Sequence, residues 1–97
     1  MLIKAGVDIS RLKPEIRKKL SGIETIILSR DSEEMVITST YEGDHGAGSL
    51  HYANMAVDIR KLKKVVYAAA DIKQWLGKDY DVVVEGNHYH IEYDPKG

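Results

Sequence analysis

Three side chains near the end of the chain, Glu85, His88 and His90, are of the types that hold a divalent cation and move a proton. Between Glu85 and His88 lie Gly86 and Asn87, a pair suited to a tight two-residue turn. Such a turn sets Glu85 opposite His88 on neighbouring strands, with the two side chains on one face about 5 Å apart at Cβ. Side chains alternate along a strand, so His90 shares that face, with Glu92 further along. Tyr89, Ile91 and Tyr93 take the other face and can pack on a core. The grouping depends on the turn register, since a slip of one residue would scatter it. Two imidazoles and a carboxylate are the ingredients of a zinc site with a base. The competing reading of His-x-His alone is a strand with a solvated polar face.

A second group lies mid-chain, in Ser49-Leu50-His51-Tyr52-Ala53-Asn54-Met55-Ala56-Val57-Asp58. His51 and Asp58 stand an odd number of residues apart, which on one regular strand puts them on opposite faces. Convergence needs a bend or bulge, for which Asn54 is a candidate. The alternative is a loop histidine followed by a helix-capping Asp58. Zinc prefers four ligands, and a catalytic site keeps one position for water. His51, Asp58 and one hairpin histidine would supply the other three. Such a set lowers the pKa of bound water to about 7 and gives hydroxide near neutral pH. Glu85 could then take the proton and pass it to a leaving amine. The remaining histidine could orient a ligand or stabilise an oxyanion.

The elements that must position these groups are legible in outline. Ile9, Leu12, Ile16 and Leu20 recur at helical spacing, Pro14 suits a first turn and Gly22 a stop, which predicts a short helix over residues 13–20. The β-branched run 23–28 predicts a strand and residues 35–41 a second, joined by the polar turn Asp31-Ser32-Glu33-Glu34 as a hairpin. Three glycines within residues 42–49 mark a loop. Residues 53–59 predict a short strand. Leu62, Val65, Val66, Ala69, Ile72 and Leu76 form one helical stripe, stopped at Gly77, with Trp75 beside it and expected in the core. Residues 82–85 and 88–93 predict the closing hairpin. No internal repeat, low-complexity tract or linker interrupts the sequence.

Ninety-seven residues bound a single domain, 1–97, with one core and one site. The hydrophobic fraction of 43% and charged fraction of 30% suit a globular chain. A net charge of -1 gives no broad field for phosphate contacts, which argues against a nucleic-acid partner. There is no cysteine, so any metal must be held by His, Asp or Glu. No stretch approaches the roughly 20 apolar residues of a membrane span. The first residues, Met1-Leu2-Ile3-Lys4, lack the apolar run of a secretory signal. The expectation is a soluble monomer made in the cytoplasm, which another factor must deliver if it acts on cell wall.

The run S-x-H-x-x-N-x-A-x-D at residues 49–58, followed by E-G-N-H-Y-H-I-E-Y-D-P at 85–95, resembles the zinc D-alanyl-D-alanine carboxypeptidase and endopeptidase family. That family's pattern is S-x-H-x-x-G-x-A-x-D with a late H-x-H. Small single-domain phage and prophage members look closest, and the similarity spans roughly residues 6–94, including an early I-T-S-x-Y at 37–41. The ordered pair of motifs is far more specific than either half. The resemblance implies zinc held by His51, Asp58 and His90, with Glu85 as base and His88 as a second catalytic group. The dipeptidase branch of the family uses E-x-x-H instead, and Glu85-Gly86-Asn87-His88 fits that form, so His88 competes with His90 for the metal. Ser49 matches a small motif position, and His45 in the glycine loop is a candidate to line the cleft; both are assigned to substrate binding. Three departures stand out: Asn54 replaces the motif glycine, Asn87 the aspartate often found before H-x-H, and Glu42 an arginine often found after I-T-S-x-Y.

The fold implied is α+β, a small antiparallel sheet with helices packed on one side, of the hedgehog/DD-peptidase type. The activity implied is zinc-dependent hydrolysis of peptidoglycan stem peptides through metal-bound hydroxide, either D-Ala-D-Ala carboxypeptidase or L-Ala-D-Glu endopeptidase. The alternative is a non-catalytic zinc-binding domain of the same fold that binds a partner or cell wall. A metal-dependent nuclease, suggested by the H/N/H residues of 86–90, lacks a basic face to hold its substrate.

Overall fold

Apolar residues alternate with polar ones along the strands, so one sheet face is dry and the other is free to carry chemistry. A computed structural model describes residues 1–40, 55–61 and 67–95. In order these form β1 (Leu2–Ile3), α1 (Pro14–Arg17), α2 (Leu20–Asp31), β2 (Val36–Ser39), β3 (Ala56–Arg60), α3 (Tyr67–Leu76), β4 (Tyr80–Glu85) and β5 (His88–Tyr93). The strands make one five-stranded sheet in the order β1-β2-β3-β5-β4. Ile37, Val57, Ile59, Val82, Tyr89 and Ile91 project from its dry face. They share a core with Leu12, Ile16, Leu20, Ile23, Ile27, Ala68, Ala69, Ile72 and Leu76 from the helical side.

The α+β class and the helices on one side agree with expectation; the purely antiparallel sheet does not. β1 runs parallel to β2, with Leu2 N–H donating to Met35 O at 2.8 Å and Lys4 N–H to Ile37 O at 2.9 Å. The other neighbouring pairs are antiparallel. Parallel neighbours need a long crossover, and the chain supplies it through α1 and α2.

The β-branched run 23–28 lies inside α2, not in a strand, and the expected hairpin with residues 35–41 is absent from the described residues. Leu20, Ile23, Ile27 and Asp31 fall at helical spacing and are all buried, so packing of that stripe overrides local strand preference. Asp31 closes the helix, and Ser32 takes a left-handed conformation at its C-cap. Gly22 sits within α2 instead of ending a helix: a Cβ there would collide with the Trp75 indole from α3. Trp75 is not a core residue, for it is 45% exposed, with Lys19 Nζ 4.8 Å from its ring. Gly77 stops α3 at φ 85°, as the sequence suggests. Among the described residues no helix is long and apolar enough to cross a membrane.

Candidate functional site

The hairpin register is the one the two-residue turn requires. Glu85 pairs with His88, Val83 with His90 and Val82 with Ile91. On the other edge of β5, β3 places Asp58 opposite His90 and Arg60 opposite His88. Strand alternation therefore gathers Asp58, Arg60, Glu85, His88, His90 and Glu92 on the open face, while Tyr89 and Ile91 enter the core. Asp58 is a mid-strand residue, which removes the helix-cap reading. Lys61 fastens the turn from the side: its N–H donates to Asn87 O at 2.8 Å and its Nζ reaches Gly86 O at 3.4 Å.

The closest contact on this face is between Asp58 Oδ1 and His90 Nδ1, at 2.8 Å. The other ring nitrogen, Nε2, lies 2.7 Å from Glu92 Oε1. A carboxylate on each side favours the imidazolium, which donates at both nitrogens. The hydrogen bond His90 donates to Asp58 is the main cause, and the one it donates to Glu92 adds to it. Partial burial opposes both, and the net effect lifts the His90 pKa from 6.5 to about 9. His88 stands further out. Its Nδ1 lies 2.8 Å from Asn87 Oδ1. With that carbonyl as acceptor, Nδ1 donates to Asn87, and Nε2 is left facing the space beside Asp58 and Glu85. That Nε2 is 3.8 Å from Asp58 Oδ1 and 3.6 Å from Glu85 Oε2. Glu85 is half exposed.

Of the residues singled out from sequence, Asp58, Glu85, His88 and His90 come together on one face. His45, Ser49 and His51 lie outside the described residues, as do Glu42 and Asn54. Asp58 and His90 are the described residues that could hold a small, borderline-soft cation here, in place of the proton that now joins them. Two donors on a tetrahedral zinc, each about 2.0–2.1 Å from the ion, sit about 3.3 Å apart, so a small opening of this pair would admit one. With an ion on Nδ1, Glu92 would take the part that carboxylates play behind metal-bound imidazoles, fixing the tautomer from the far nitrogen. Strand alternation puts Glu92 on this face, and its i, i+2 spacing from His90 is the sequence signal for the contact between them. A second acidic group, Asp81, Glu92 and Asp94, brings three carboxylate oxygens within 4.8 Å of one another. It competes with His90 for Glu92, and all-carboxylate sets suit harder cations than zinc.

A further polar device holds the hairpin from beneath. Tyr89, between the two histidines, points into the core, where its hydroxyl donates to Asp31 Oδ2 at 2.5 Å. Asp31 Oδ1 accepts the Ala68 N–H at 3.0 Å. Burial, and then the hydrogen bond to Asp31, push the Tyr89 pKa up, so the hydroxyl keeps its proton. No protein-family profile, curated protein or solved structure matches this chain.

Proposed function

We propose that this chain is a zinc-dependent peptidase of the hedgehog/DD-peptidase type that hydrolyses peptidoglycan stem peptides, as a D-Ala-D-Ala carboxypeptidase or an L-Ala-D-Glu endopeptidase. One observation carries the reading: Asp58 and His90, on separate strands, meet at 2.8 Å on an open face beside His88 and Glu85. The ordered motifs at 49–58 and 85–95 supply the substrate class.

Asp58 and His90, through Nδ1, would hold the ion, with His51 as the third ligand. His90 takes this role because it matches the second histidine of the late H-x-H in the resembling pattern, and His88, with Nε2 3.8 Å from Asp58 Oδ1, is its competitor. Zinc supplies Lewis-acid polarisation of the scissile carbonyl and makes water acidic near neutral pH. Glu92 keeps the far nitrogen of His90 protonated, so Nδ1 is the free donor. Glu85, half exposed at the strand end, accepts the proton of the attacking water and delivers it to the leaving amine. His88, with Nδ1–H given to Asn87, offers Nε2 to the same space.

The test is release of D-alanine or of peptide fragments from purified cell wall by the zinc-loaded protein. Glu85→Gln should lower the rate by about 100-fold or more while zinc stays bound. A second reading, the non-catalytic zinc-binding domain, draws on the 3.6 Å gap from Glu85 to His88 and on Asn87 standing where the related pattern often has aspartate. Zinc binding with no release of any fragment would favour it.

A further inference from the structure

Beside Asp58 and His88 the open face is hollowed into a cleft of about 880 Å³ between β1, β2, β3 and the β4–β5 turn. Leu2, Ile3 and Val36 form its apolar wall. Its charged lining is one-sided: Lys4, Arg60 and Lys61 are cations, and Asp58 is the one carboxylate among the described lining residues. Asp58 turns an oxygen to His90, 2.8 Å away, so its charge is already engaged.

The cations are not engaged to the same degree. Lys61 is only 8% exposed, and among the described residues its ammonium has one long hydrogen bond, 3.4 Å to Gly86 O. An ammonium has three donors, and burying one without an anion is costly. Arg60 stands opposite His88 in the sheet, and no carboxylate of the described residues pairs with it. A guanidinium beside a second cation at an apolar wall is suited to a carboxylate, which it can grip with two parallel hydrogen bonds. The cleft opens directly onto Asp58 and His88, so a group held there lies next to the proposed reaction centre.

We infer that this cleft is the carboxylate-binding subsite for the peptide, with Arg60 and Lys61 gripping an anionic group of the substrate beside the Asp58–His90 pair. The inference rests on the peptidase reading for its placement next to a scissile amide. It makes the enzyme selective for peptides with a carboxylate near the cut, either a C-terminus or an acidic side chain.

Calorimetry on the zinc-loaded full chain tests it, with Glu85→Gln present so that the probes survive. The probes are N-acetyl-D-Ala-D-Ala and N-acetyl-L-Ala-D-Glu, each against its carboxamide counterpart. At least one acid should bind about 10- to 100-fold more tightly than its amide, the range expected of a charge-assisted hydrogen-bonded pair. Arg60→Gln should bring that acid to the level of its amide, and Arg60→Lys should keep part of the preference, with zinc content unchanged in both. Equal binding of acid and amide in both pairs, or a preference that survives Arg60→Gln, overturns the inference. Cell-wall hydrolysis by the unsubstituted protein is read separately. Carboxylate selectivity without hydrolysis removes the peptidase reading and leaves a carboxylate-binding cleft, whereas hydrolysis without selectivity removes the cleft assignment alone.

Discussion

If zinc binds His90 as proposed, ion and proton compete for the same nitrogen, and the two flanking carboxylates set the size of that competition. In the metal-free protein Asp58 and Glu92 flank the ring and raise its pKa to about 9. At pH 7 only about one molecule in a hundred then has a free imidazole, and clearing the proton costs about 2.7 kcal/mol. Zinc binding must release that proton. The apparent zinc affinity should therefore rise about tenfold per pH unit between pH 6.5 and 8.5 and level off above 9. A free imidazole would level off near its ordinary value of 6.5. Competition against a chromophoric chelator of known pH dependence measures this with free zinc kept low. In Glu92→Gln one of the two carboxylates is gone, so the levelling point should move to lower pH. An affinity flat between pH 6.5 and 8.5, or a break at 6.5 in the unsubstituted protein, would mean that zinc does not displace a proton held by Asp58 and Glu92.

The same pKa has a consequence for metal-free stability. The folded value lies above the unfolded one, so the contribution is fully present below pH 6.5 and fades as pH rises through 9; it amounts to about 3 kcal/mol. Thermal melts of the chelator-treated protein should show Tm falling across that window and recovering when zinc is added. Tyr89→Phe leaves the buried Asp31 carboxylate without its hydroxyl donor and should cost about 1–3 kcal/mol in urea unfolding. An unchanged midpoint would mean that the contact contributes nothing. Gly22→Ala places a methyl against the indole of Trp75, so the single tryptophan should swing toward water, with a red-shifted emission maximum as the readout. If His90 holds the ion as proposed, zinc content read by metal analysis should drop by more than tenfold in His90→Ala and much less in His88→Ala, and the reverse order would move the ligand to His88.

The C-terminal hairpin was readable because everything that sets it is local. Gly86-Asn87 fixes the turn, and alternation then places Glu85, His88 and His90 on one face without knowledge of the rest of the chain. The stop at Gly77 and the buried stripe of α3 are local in the same sense. The run 23–28 misled because its β-branched residues speak for a strand, while the pattern that decides it, Leu20, Ile23 and Ile27, matters only once a sheet face is there to pack on. β1 was missed for a related reason. Two residues carry no period, and their strand character comes from the β2 edge they meet. The Asp58–His90 contact was expected as a shared metal site, but nothing in the spacing could say that β3 pairs with β5 and sets the two side by side.

That pairing explains why the polar anchor beneath the sheet matters to the chemistry above it. Tyr89 lies between His88 and His90 in sequence and is the largest fully buried side chain on β5. Its hydroxyl has one acceptor, Asp31, which also takes the Ala68 N–H, so the tyrosine fits at one height against α2 and α3. A strand shifted by one residue would turn both histidines into the core and leave Asp31 without its hydroxyl partner. A shift by two would keep the face but move His90 away from Asp58. The buried Asp31–Tyr89 bond thus selects one register out of the few that alternation alone allows. The same constraint holds Nδ1 of His90 at a fixed distance from a carboxylate on the central strand of the sheet.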